Sequence, residues 1–310
     1  MRTVTRLERT LVTCAALAAF VSCSRPASGP PHRTFAAPEE AVQALNKAVA
    51  GGKIEDVVAI FGPEGQALID SSDPVVARRN RDVFTIAIAE GWKLVDEGPR
   101  KTLVIGNEEW PFPVPLVREE PAGWRFDTAA GKEEILARRI GRNELAAIRL
   151  CRTVVEAQRR YAEQGHDGKP AGLYARTFRS DPGKQNGLYW PAPRGQQRSP
   201  LGELIAEAAA EPSRAADRPE HTPLHGYYFR ILTGQGASAP GGAKDYLVNG
   251  EMSGGFALVA WPAEYDVTGI MTFVVNQDGI VREADLGPGT DAAARSIAVY
   301  DPDASWQAAE

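Results

Sequence analysis

Residues 143–164 read NELAAIRLCRTVVEAQRRYAEQ. Leu145, Ile148, Cys151, Val155 and Tyr161 recur at helical spacing along one side, and Arg142, Arg149, Arg152, Arg159 and Arg160 decorate the rest. The pattern predicts a long amphipathic helix. Its arginines are expected to form a solvated face and not a polyanion site. Downstream the chemistry changes. A loop-rich stretch passes through Asp181-Pro182-Gly183 and Asn186-Gly187, and Ser199-Pro200 opens another helix reaching Ala210. Short runs at His225–Thr233, Tyr246–Asn249, Phe256–Trp261, Gly269–Asn276 and Ile280–Ala284 then read as strands, with Gln277-Asp278-Gly279 as a tight hairpin turn. A short helix over 291–300 precedes the tail. One helix followed by a meander makes 141–310 an α+β domain.

The segment before it, 35–140, has the same order. Pro38-Glu39-Glu40 opens a helix, because proline fits the first helical position and acids suit the positive end of the helix dipole. Val42, Leu45 and Val49 form its stripe and Gly51-Gly52 ends it. Helices over 54–61 and from Ser72-Asp73-Pro74 to Glu90 follow. Strands are expected at Trp92–Glu97, Thr102–Gly106, Phe112–Val117 and Trp124–Thr128. The expected fold class is therefore α+β in two domains, each with helices packed on an antiparallel sheet.

The first 22 residues read as a signal peptide. Arg2, Arg6 and Arg9 precede an apolar run from Leu11 to Val21, which is too short to span a bilayer comfortably. Phe20-Val21-Ser22-Cys23 resembles a bacterial lipobox, with Phe20 where the pattern prefers leucine. The resemblance implies cleavage before Cys23 and lipidation of that residue. Residues 23–34, rich in Pro, Ser and Gly, would form a tether. Localisation is expected to be exported and lipid-anchored, in the periplasm or on the outer surface.

Composition bounds the function. With 43% apolar and 24% charged residues the chain is not disordered throughout, and a net charge of −5 excludes a nucleic-acid coat. Removing the signal leaves 32 basic and 39 acidic residues. Cys14 leaves with the signal and Cys23 would be lipidated, so Cys151 remains alone and no disulfide framework forms. Its apolar helical neighbours mark it as a core residue and not a nucleophile.

No catalytic, cofactor or metal constellation stands out. Gly234, Gly236, Gly241 and Gly242 follow a strand, but no helix follows them. His221 and His225 have metal-like spacing broken by Pro223. His166-Asp167-Gly168 lacks the repeated acids of a calcium loop. Glu264 and Asp266 read as surface acids. Arg125 and Asp127 are weak pocket candidates, best explained as a strand-end ion pair. Alternation in the strand at 225–233 sends Tyr227, Phe229 and Ile231 to a core face. Tyr228 and Arg230 go to the other face, a candidate surface for a glycan or an envelope protein.

Three resemblances follow from these segments. The helix at Pro38-Glu39-Glu40-Ala41-Val42, the late strands and Gly123-Trp124-Arg125-Phe126-Asp127-Thr128 resemble the nuclear-transport-factor-like (SnoaL-like) cone fold. That implies a pocket, although its usual histidine has no counterpart between Arg33 and Gly165. Asn143-Glu144 through Tyr161, with Gly269–Phe273 and Asp278–Arg282, resembles the head of a type IV pilin or pseudopilin without the apolar half-helix that forms a fibre. The whole resembles the bacterial family called domain of unknown function 2950. The carrying segments are 110–117, 131–135, 139–145, 187–191 and 254–265. The functional expectation is a lipid-anchored, non-catalytic binding or scaffold protein of the envelope. Its membrane contact would run through the N-terminal lipid, and an envelope protein or a glycan is the candidate partner. The alternatives are an enzyme acting on a small or cell-wall substrate in the first domain's cone, and an accessory of pili or secretion.

Overall fold

The computed structural model describes residues 32–69, 74–193, 195–202 and 223–309. The chain is α+β and divides after Thr128 into two compact units. The signal peptide, Cys23, and the expected helix beyond Gly202 lie outside the described residues.

In the first unit, α1 (Pro38–Gly51) begins with proline at its first turn and ends on Gly52, whose φ of 70° lets its N–H reach the Val49 carbonyl. Ala41, Val42, Leu45 and Ala48 form its buried face. Next come α2 (Ile54–Phe61), the single turn α3 (Gln66–Ile69) and α4 (Pro74–Glu90). The strands are β1 (Trp92–Glu97), β2 (Arg100–Ile105), β3 (Trp110–Pro111), β4 (Leu116–Glu119) and β5 (Gly123–Phe126). The sheet runs β1-β2-β4-β5, with β3 also on β2 and every pairing antiparallel. Leu103, Ile105, Leu116 and Phe126 face the helices and are fully buried. Phe112 sits among Phe61, Phe84, Trp110 and Phe126, with centroids 5.6–6.5 Å apart. Three of these pairs are edge-to-face and one, Phe61 with Phe112, is stacked, and such aromatic pairs add to plain burial.

The second unit is organised by α5 (Thr128–Ala162), a 35-residue helix. It starts well before Asn143, where the apolar pattern becomes obvious, and so it runs through the 140/141 boundary expected from sequence. Gly131 and Gly141 both lie within it. A helical glycine costs only about 1 kcal/mol, and the helix passes through both. Ala147, Ile148, Cys151, Val154 and Val155 form its buried face, whereas Leu145, expected on that side, is half exposed. The sheet below is antiparallel, in the order β14 (Gln307–Ala308), β13 (Arg282–Asp285), β12 (Met271–Asn276), β11 (Ala257–Pro262), β6 (Tyr227–Leu232). Two small ladders, β7 (Gly234–Gln235) with β8 (Lys244–Asp245) and β9 (Leu247–Val248) with β10 (Glu251–Met252), extend from it. The hairpin at Gln277-Asp278-Gly279 forms as expected, with Gly279 at φ 83° and its N–H on the Asn276 carbonyl.

All six residues of β11 are buried, because the sheet is covered on both faces. Tyr227 and Phe273 point toward α5, and Tyr228, Arg230 and Trp261 point toward α6 (Thr290–Ser296). Two polar connections fix α5 on the sheet. Oε1 of Glu144 accepts from the amides of Ile270 and Met271, at 2.9 and 3.0 Å, while Asn143 Nδ2 donates to the Thr268 carbonyl at 2.8 Å. Tyr227 closes the corner by donating to the Met271 carbonyl. Gly269 must be glycine, since a Cβ there would stand 2.1 Å from the Tyr227 hydroxyl. Further along, Gln158 donates to the Ala175 carbonyl and accepts from its amide, at 2.7 and 2.8 Å, holding the following loop to the helix.

Glu144→Ala is expected to leave two amides without their acceptor. It should destabilise the protein by about 3–6 kcal/mol, since each of the two charge-assisted bonds contributes roughly 1.5–3 kcal/mol. Glu144→Gln, which keeps one acceptor oxygen, should recover much of the loss. Urea unfolding of both variants checks this.

Candidate functional site

Arg125 lies on β5 and Asp127 just beyond it, so alternation puts both on one sheet face. Arg125 Nε donates to Glu119 Oε2 at 2.7 Å, and its Nη1 stands 3.9 Å from Asp127 Oδ1. Both side chains keep about a quarter of their surface exposed. The structure thus joins the two expected residues and adds two that sequence reasoning missed. Glu119 arrives from β4 through the antiparallel register. His32 approaches Glu119 to 3.5 Å from the segment preceding α1. Arg125's hydrogen bond, and then its charge, hold the Glu119 carboxyl below the usual carboxylate range, with a smaller contribution from His32. A carboxylate stabilised as the anion and engaged by a guanidinium is a weak general acid and a weak base. What this arrangement does is bind the incoming chain. Phe35 exchanges two backbone hydrogen bonds with Trp124, at 2.8 and 2.7 Å, and Arg33 lies 5.0 Å over the Phe35 ring. Gly123, at φ 104°, permits the approach, because a Cβ there would stand 2.3 Å from the Phe35 carbonyl oxygen.

The second candidate surface, Tyr228 with Arg230, is occupied from within the chain. Arg230 Nη2 lies 2.8–3.3 Å from the carbonyls of Ala294, Arg295 and Ile297 at the C-terminal end of α6. A cation is favoured there by the helix dipole. Burial, and then the charge of Arg295, lower the pKa of this guanidinium. Arg295 spans Tyr228 and Trp261, 5.8 and 5.7 Å from their centroids, and chelates Asp291 at 2.9 Å. Trp261 Nε1 donates to the same carboxylate at 3.0 Å. This cluster fastens α6 to the sheet. Strand alternation located the residues but could not show that a seven-residue helix would return to cover them.

Cys151 is fully buried and free, and burial pushes its thiol up to about 12. It is therefore protonated at neutral pH and packs as a small apolar group. His166, which sequence spacing leaves as an incomplete calcium loop, is a buried packing residue of the loop after α5. Its Nε2 donates to the Tyr161 carbonyl at 2.9 Å, and its ring stacks on Tyr161 at 4.0 Å and lies 5.5 Å from Trp190. Burial, with Asp167 and Glu251 adding, raises the Tyr161 hydroxyl to about 12. Tyr265 donates to Asp285, and Glu264 shapes its turn through its backbone, its N–H donating to Thr268 Oγ1 and its carbonyl accepting from the same hydroxyl. Among the described residues no group of three or more His, Cys, Asp or Glu is placed to hold a metal ion, and no helix is long and apolar enough to cross a membrane.

These features define a protein of two α+β units whose polar clusters join its own elements. The family model described as "Protein of unknown function (DUF2950)" matches residues 32–309, and the chain belongs to that family. No curated protein and no solved structure matches it.

Two outcomes are expected. Cys151 should alkylate slowly in the native state and rapidly once unfolded, and Cys151→Ala should cost roughly 1 kcal/mol; thiol labelling followed by mass and a denaturation curve measure both. Because the pKa of Glu119 is depressed on folding, its contribution is complete above its unfolded value of roughly 4.3 and is lost as pH falls below that through the folded value. The stability gap between wild type and Glu119→Gln should therefore close as pH drops from neutral to about 2, as followed by thermal melts.

Proposed function

We propose that this protein is a lipid-anchored, non-catalytic binding or scaffold protein of the bacterial envelope. It would face the periplasm or the outside, with Cys23 as the lipidated residue. The observation that carries this reading is the way the chain enters the first unit. A tether over 23–34 would lead directly into Phe35, which is bonded on both backbone groups to the edge of a sheet and flanked by the His32–Glu119–Arg125 network. An anchor needs a firm attachment at its protein end, and this one begins within a few residues of the tether. The basic, apolar and lipobox-like order of residues 1–23 supports the same reading. So does the engagement of Arg125, Glu119, Arg230 and Trp261 in packing contacts, because each already serves the fold.

The test is Cys23→Ser. The wild-type chain is expected in the membrane fraction, with a mature N-terminus at Cys23 carrying added lipid mass. The variant should move to the soluble fraction while keeping its fold. A wild-type chain that is soluble, or that begins elsewhere, overturns the proposal.

A further inference from the structure

The exposed side of α5 carries a row of arginines that the fold leaves unused. Seven arginines fall between positions 138 and 160. Arg138 pairs with Glu134, and Arg159 pairs with Glu156 and donates to the Gln277 carbonyl. Arg142, Arg149 and Arg152 are exposed, and among the described residues none of them closes an ion pair. Successive spacings of four and three residues put Arg138, Arg142, Leu145, Arg149 and Arg152 along one face, away from the sheet. From Arg142 to Arg152 the row is about 15 Å long, at 1.5 Å per residue. Leu145, in its middle, is 52% exposed.

Helical chemistry does not explain this row. Arg142 and Arg149 have no acid three or four positions away, whereas Arg138 and Arg142, and Arg149 and Arg152, sit at distances where like charges destabilise a helix. The chain as a whole carries −5, so acids are plentiful elsewhere. Screening confines each charge to a range of roughly 8 Å in physiological salt. Glu156, four positions from Arg152, is engaged by Arg159, so a partner touching the row feels Arg142, Arg149 and Arg152 more than the net negative charge of the chain. A row of cations around one apolar side chain on a helix face matches the headgroup layer of an anionic bilayer, where phosphates meet the arginines and the leucine enters the boundary.

We propose that Arg142, Arg149 and Arg152, with Leu145, dock this protein on the anionic headgroup surface of the membrane that holds its lipid anchor. The location rests on the anchored reading; the chemistry of the face does not. Three arginines give a weak contact alone, and a tether turns it into an intramolecular one.

The experiment uses the full chain carrying Cys23→Ser, so a failed anchor leaves the result readable. The probes are vesicles of phosphatidylcholine alone and of phosphatidylcholine mixed with phosphatidylglycerol. The unlipidated chain should sediment with the mixed vesicles only and be released by salt. Each arginine near an anionic surface is worth roughly a five-fold change in partition. The Arg142→Gln, Arg149→Gln, Arg152→Gln triple variant should thus bind roughly a hundred-fold more weakly, with an unchanged or higher melting temperature. A charge-matched control, Lys47→Gln, Arg118→Gln, Lys184→Gln, should bind as the parent does. Equal binding to both vesicles, binding to neither, or equal loss in the control overturns the proposal. So does a fall in the melting temperature of the arginine variant, which would make the row structural. Capture by an acidic polypeptide without binding to anionic vesicles also overturns it, in favour of a protein partner.

Discussion

The second unit depends on one carboxylate. Glu144 accepts from two successive amides at the start of β12, and that pair of bonds fixes how far along the sheet α5 sits. An amphipathic face alone would allow the helix to slide, because one apolar contact resembles the next. The double bond to Ile270 and Met271 removes that freedom. Once it is set, Cys151 and Val155 fall over the sheet and Gln158 faces Ala175. Neighbouring groups that depend on the same corner, Tyr227 and the glycine at 269, leave no room for a different register.

The two units solve the same packing problem differently. In the first, aromatic rings around Phe112 fill the space between helices and one sheet face. In the second, the sheet is enclosed, and the side away from α5 is sealed by polar contacts. Arg230 reaches the end of α6, while Asp291, Arg295 and Trp261 interlock. The short α6 has too few turns to bury much apolar area, so hydrogen bonds hold it in place.

Much of this was legible in the residues. The period change from helix to strand, the proline and glycine punctuation of α1 and the hairpin at 277–279 each followed from local chemistry. So did the strand position of Arg125, with Asp127 just past the strand's end. The misses share a cause. The early start of α5 escaped because the apolar stripe before Asn143 is shallow. Glu119 and His32 join Arg125 only through sheet register and chain entry, which are non-local. The face bearing Tyr228 and Arg230 looked open because its cover comes from more than sixty positions later. His166 carried no spacing signal; its role arises from a loop folding back on Tyr161.

Gln158 gives the loop after α5 a different character from its irregular path. Its side-chain amide offers Ala175 the same donor and acceptor that a neighbouring strand would. The backbone at 175 is thereby satisfied without reference to the residue's own identity, provided it stays small enough for the buried site. The helix and this part of the loop should then open as one event, so the amide of Ala175 would exchange with solvent on the timescale of α5 and not on that of a surface loop. The loop's order at that point is thus supplied by a side chain of the helix and not by a neighbouring strand.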